Sequence, residues 1–129
     1  GGQAGGEEVI EVVPIHEAQR RGFFDARYQE LGRCEIAVLE GETALAGGVW
    51  EGIPTMIHLA GRFARQRVAS LIRAFVQVMA RRGYPVTVTA LDTRLPQTGV
   101  LRRVCQRAGG QPYATTPPFE WLLFRAEEA

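Results

Sequence analysis

TMIHLAGRFARQRVASLIRAFVQVMARRGYPVTVTAL, residues 55–91, decides the fold. Val68, Leu71, Ile72, Phe75, Val76 and Met79 recur at three- and four-residue spacing and make one helical stripe, which Gly83 and Pro85 bring to a stop. TMIHLA before it and VTVTAL after it are short apolar runs, the second rich in β-branched residues, and both fit strands. Strand, helix and strand in that order form a crossover unit, whose strands run parallel or nearly so in one sheet with the helix packed on it.

Upstream, VIEVVPI from Val9 is a short strand stopped by Pro14, and HEAQRRGFFDARYQELG is one helix, or two broken at Gly22, closing at Gly32. CEIAVLE and TALAGGVW are two strands joined as a hairpin through Gly41, and a turn at EGIP leads into TMIHLA. Downstream, VLRRVCQRA is a second long helix ended by Gly109 and Gly110, and QPYAT and FEWLLFR are two closing strands. The order is β, α, β-β-β, α, β, α, β-β, an α/β domain with a mixed, mostly antiparallel sheet of six or seven strands and helices on both faces. GGQAGGEE, residues 1–8, reads as a flexible tail or a processed terminus; a single domain spans 9–125, and 126–129 form a second tail.

A chain of 129 residues is one domain in length, enough to bury roughly two-thirds of its unfolded surface without a metal or disulfide. Cys34, on a strand, and Cys105, on a helix, lie far apart without a Cys-x-x-Cys partner, which suits two buried free thiols in a reducing compartment. His16 and His58 lack metal-ligand spacing from the scattered glutamates, so no metal is expected. There is no apolar run of ~20 residues and no secretory signal, which places the protein in the cytoplasm, off the membrane.

The formal net charge is +1, yet residues 1–51 carry ten acids against four arginines while residues 52–91 carry Arg62, Arg65, Arg67, Arg73, Arg81 and Arg82 and no acid. Arg62, Arg65 and Arg67 cluster at the start of the central helix, where backbone N–H groups and the helix dipole already favour an anion. Arg73, Arg81 and Arg82, farther along, fit a solvated face. Phe23, Phe24 and Tyr28 at helical spacing fit a core, and Trp50, Phe119, Trp121 and Phe124 are strand residues suited to packing.

The element order and three stretches, IAVLEGETALAGGVW, IHLAGRFARQRVASLIRAFVQVMARRG and LRRVCQRAGG, resemble the GCN5-related N-acetyltransferase (GNAT) superfamily over Val9 to Arg125. The resemblance implies that the first stretch is the central hairpin, that the second holds the pyrophosphate of acetyl-CoA, and that a splay between the fourth and fifth strands admits the pantetheine arm. The family's Arg/Gln-x-x-Gly-x-Gly/Ala loop is altered. Counted from Arg62, its glycine positions fall on Arg65 and Arg67; counted from Arg65, they fall on Val68 and Ser70. The tyrosine that commonly serves as general acid is matched by Cys105, with Tyr84 and Tyr113 as alternatives, and the strand glutamate that serves as base has only His58 or Glu51 to stand in for it.

These departures favour a divergent GNAT-like domain that does not catalyse. Such a domain serves as an interaction or assembly module with a protein partner or a second copy of itself, as short GNAT-like domains do in bacteriophage virions. The alternative is a CoA-dependent N-acyltransferase moving an acetyl group to an amine, with Arg62, Arg65 and Arg67 on the phosphates and Glu51 or His58 relaying the proton. A third reading gives the basic segment to nucleic acid and predicts a steep salt dependence.

Overall fold

The computed structural model describes residues 9–25 and 32–127. Seven strands form one sheet in the order β1-β2-β3-β4-β5-β7-β6. They are β1 (Glu11–Pro14), β2 (Ile36–Glu40), β3 (Thr43–Trp50), β4 (Ile53–Gly61), β5 (Val86–Asp92), β6 (Gln111–Thr116) and β7 (Phe119–Arg125), and every neighbouring pair is antiparallel except β4 with β5. The helices are α1 (Ile15–Arg20), α2 (Arg65–Arg81) and α3 (Thr98–Arg107). The expected mixed sheet, the crossover through α2 and the two closing strands are all present.

Two apolar clusters lie on the two faces of the sheet. The alternation of strand residues sends Leu45, Met56, Leu91, Leu122 and Phe124 to one face, where they meet the α2 stripe of Leu71, Ile72, Phe75 and Met79. Ala37, Leu39, Ala44 and Ala46 go to the other, beneath Ala18 of α1 and Phe24. Fully burying side chains such as Leu71, Phe75 and Met79 stabilises the fold by roughly 1.5–3 kcal/mol each. Gly47 is required by this packing, because a Cβ there would stand 2.4 Å from the Thr55 carbonyl oxygen and 2.6 Å from the Phe75 ring.

Three expectations are corrected. The helix after Pro14 ends at Arg20, because Gly22 (φ 94°) and Phe24 (φ 54°) turn the chain left-handed, so Phe23 and Phe24 do not share a helical face; Tyr28 and the rest of that run, with the tails 1–8 and 128–129, lie outside the described residues. Cys34 precedes β2 instead of lying on it: the register would set it opposite Val49, whose N–H donates instead to the Glu35 carboxylate at 2.7 Å. Trp50 and Phe119 are not packed away, being 44% and 37% exposed, and the Arg33 guanidinium covers one face of Trp50 at 4.1 Å. Trp121 is half-buried and donates its indole N–H to Thr116 Oγ1 at 2.6 Å, while Phe124 and both cysteines are buried, neither cysteine in a disulfide. No helix among the described residues is long and apolar enough to cross a membrane.

Candidate functional site

β4 is the strand that makes the site. Against β3 its register slips between Ala46 and Gly47: Ala46 faces His58 while Gly47 faces Met56, so Ile57 is an extra residue and the strand is bulged there. A bulge turns two successive side chains to one face. Ile57 packs against the α1-side cluster, and the His58 ring lies 5.7 Å from that of Phe24 in the same cluster.

The bulge is also where β4 leaves β5. The two strands pair at Thr55↔Val88 and Met56↔Thr89, and the Thr89 hydroxyl donates to the Met56 carbonyl at 2.9 Å, closing the apex of the split. Beyond it, β4 from Ile57 to Gly61 has no strand partner on the β5 side. Backbone there can pair with the amides of an extended ligand.

A cleft of about 780 Å³ fills the split, walled by Met56–Leu59 of β4, Thr89–Asp92 of β5, Val68 and Ile72 of α2, and Val100, Leu101, Val104 and Cys105 of α3, with Phe63, Leu95 and Phe119 among its walls. A smaller hollow of about 410 Å³ is lined by Arg21–Asp25 on one side and His58–Gly61 on the other. His58 and Leu59 line both.

At the entrance to α2, Gly61 (φ 87°) admits a close backbone approach: a Cβ would lie 1.9 Å from the Glu42 carbonyl oxygen, while Arg62 N–H donates to that oxygen at 2.9 Å. The segment before α2 is thereby tied to the β2–β3 hairpin. Ala64 (φ −142°, ψ 121°) holds the N-cap position without a side-chain cap, and the first turn of α2 has no acid. Arg62 and Arg65 are exposed and Arg67 half-buried around this end, outside the cleft wall that Phe63 and Val68 join. The Arg62 guanidinium makes a surface pair with the Glu42 carboxylate at 3.9 Å, worth little in water.

The candidate residues therefore divide. His58 and Cys105 line one cleft. Glu51 (φ 51°) does not line it; it sits with Gly52 (φ 80°) in the exposed two-residue turn before β4, on the order of 17 Å of strand from Ile53 to His58. Burial pushes the Cys105 thiol up to about 11, so it stays protonated at neutral pH. Tyr113 is exposed on the edge strand β6, and Tyr84 follows α2; neither lines the cleft. Counting the loop motif from Ala64 instead puts its last small position on Ala69, which is 2% exposed within the α2 packing, and leaves Arg67 in place of the glycine. That register was the signal for the loop in the sequence.

A mixed sheet that splits at a bulged fourth strand, with an open helix N-terminus at the mouth of the split, is the GCN5-related N-acetyltransferase fold. Solved structures agree over nearly the whole chain. A protein designated an acyl-CoA N-acyltransferase from Klebsiella pneumoniae aligns with 93% of this chain and 98% of its own at 12% identity and a TM-score of 0.63. A GNAT-family acetyltransferase from Listeria monocytogenes aligns at 92% and 94%, 8% identity and TM-score 0.58. A Bacillus subtilis acetyltransferase in complex with CoA aligns at 94% and 100%, 8% identity and TM-score 0.56. No protein-family model matches the sequence, and a sequence search among curated proteins finds no match.

Proposed function

We propose that the protein is a CoA-thioester-dependent N-acyltransferase. The observation that carries this reading is His58, placed on the β4 bulge where the apolar cleft and the smaller hollow meet. A donor in one and an amine in the other would face each other across it.

The residues present fit a CoA thioester. The unpaired β4 backbone would hold the amides of the pantetheine arm, the apolar walls would receive its carbon skeleton, and the N–H groups at the start of α2, with the Arg62 and Arg65 guanidiniums, would hold the diphosphate. Against the fit stands the loss of both loop glycines, whose places fall on Arg65 and Arg67 counted from Arg62, or on Val68 and Ser70 counted from Arg65. When bound, the thioester supplies the activated acyl group. The chain's own contributions are position and proton transfer: His58 accepts a proton from the acceptor amine, directly or through water, and the cleft walls exclude bulk water from the reacting end. Glu51 has no part in this scheme, since it stands on the turn at the far end of β4.

The non-catalytic reading draws on the loss of both loop glycines, of the helix tyrosine, where Cys105 stands, and of the strand glutamate, and it predicts no binding of CoA. Calorimetric titration of acetyl-CoA separates the two. Micromolar binding weakened about tenfold by Arg65→Ala supports the enzyme, and absence of heat at millimolar ligand supports the module. Given binding, acetyl transfer to a panel of primary amines is expected to fall at least about a hundredfold in His58→Gln. An unchanged rate would remove His58 from the chemistry.

A further inference from the structure

The walls of the larger cleft are more apolar than an acetyl donor needs. Their polar side chains are few and mostly committed within the protein. Thr89 Oγ1 donates to the Met56 carbonyl, Thr98 Oγ1 donates to the Asp92 carbonyl, and the Asp92 carboxylate accepts two bonds from the Arg94 guanidinium at 3.0 and 2.9 Å. His58 and Gln97 are the other polar side chains on the walls. The opposite wall, built by α3 and the link leading to it, is mostly apolar: Leu95, Val100, Leu101, Val104 and the neutral thiol of Cys105 line it, with Gln97 and the already bonded Thr98 as its polar side chains.

An occupant that set a polar group against Leu95, Val100, Leu101 and Val104 would lose its hydrogen bonds to water and gain none from them. A two-carbon acyl group covers less of these side chains than a longer chain does. The place taken by a tyrosine in the resemblance holds the much smaller Cys105, which keeps space open at the foot of the cleft. Leu95, 45% exposed, and Phe119, 37% exposed, are apolar side chains that border the cleft and face water without another role in the fold.

We infer that the donor used at this site carries a medium-length saturated acyl chain, laid against the α3 wall between Leu95 and Cys105. The inference rests on the acyltransferase reading and narrows it to a substrate class. Each methylene moved from water onto that wall strengthens binding about fourfold.

The test is a calorimetric titration of the intact protein with CoA, acetyl-CoA, butyryl-CoA and octanoyl-CoA, a readout independent of turnover. Affinity is expected to climb along the series, with octanoyl-CoA at least about tenfold tighter than acetyl-CoA. Leu95→Asp, at an exposed position that leaves the core intact, and Cys105→Trp, which fills the foot of the cleft, are each expected to weaken octanoyl-CoA more than acetyl-CoA. Equal affinities across the series, or acetyl-CoA tightest, would overturn the chain-length inference and leave the acyltransferase standing. Failure of every CoA species to bind would overturn both.

Discussion

Cys105 shows how position sets the chemistry of a residue. The same thiol on an exposed helix face would ionise near its ordinary value of 9.0; on the buried side of α3, at 5% exposure, it is held to about 11 because the thiolate would lose its hydration. Folding therefore retains a proton that the unfolded chain gives up. The contribution is fully present below pH 9 and is lost as pH rises through 11, about 3 kcal/mol in all. A denaturant series is expected to show stability declining between pH 9 and 11, a slope that Cys105→Ala abolishes, and iodoacetamide at pH 8.5 should modify Cys105 far more slowly in the folded protein than in denaturant. Equal rates would mean that the thiol is open to solvent. That Cys105 sits on a helix and is buried is legible from VLRRVCQR, whose apolar residues fall on one side; that it borders a cleft is not, because the opposing wall comes from β4 and β5, up to 49 residues upstream (Cys105 less Met56).

At the scale of elements, α2 combines a well-marked body with an unfinished beginning. Its apolar stripe and its stop at Gly83 (φ 98°) are legible because both follow from local period and local backbone freedom. The β4 bulge is not, since one extra residue leaves TMIHLA as strand-like as before, and the slip exists only in the pairing with β3. Much of the candidate site depends on that slip. The beginning of α2 is unfinished in that Ala64 caps nothing, although a serine or aspartate there would stabilise the helix by about 1 kcal/mol. An open end is what an incoming phosphate needs. Ala64→Asp is accordingly expected to raise the midpoint of thermal unfolding while weakening acetyl-CoA by tenfold or more, a carboxylate having taken the N–H groups and repelling the diphosphate. Ala64→Ser, equally able to cap but uncharged, is expected to stabilise as much and weaken binding less. If both variants gained stability with no change in affinity, the phosphates would have to bind elsewhere.

Across the whole molecule, charge is sorted by element. α2 carries Arg65, Arg67, Arg73 and Arg81, α3 carries Arg102, Arg103 and Arg107, and neither helix has an acid, whereas Glu11, Glu17, Glu35, Glu40 and Glu42 belong to β1, α1 and the β2–β3 region. Of the arginines on α3, Arg102 is committed to Glu120 through two bonds of 2.8 and 2.7 Å. A net charge of +1 conceals a basic face bordering the cleft, and a polyanion such as CoA would be drawn toward it before contact. The range of that attraction is the Debye length, about 10 Å at 0.1 M salt. α2 places its first and last arginines roughly 24 Å apart by helix rise, so position along the helix becomes a test. Stopped-flow association of acetyl-CoA is expected to slow about tenfold between low salt and 0.5 M. Arg65→Glu at the mouth should slow it at about 0.1 M salt and flatten its salt dependence, whereas Arg81→Glu, with the same change of net charge more than two Debye lengths away at that salt, should do so far less. Equal effects of the two would show that total charge matters and not its place at the mouth. A protein whose basic face bound nucleic acid along its whole length would instead lose affinity for a DNA duplex by similar amounts in both variants.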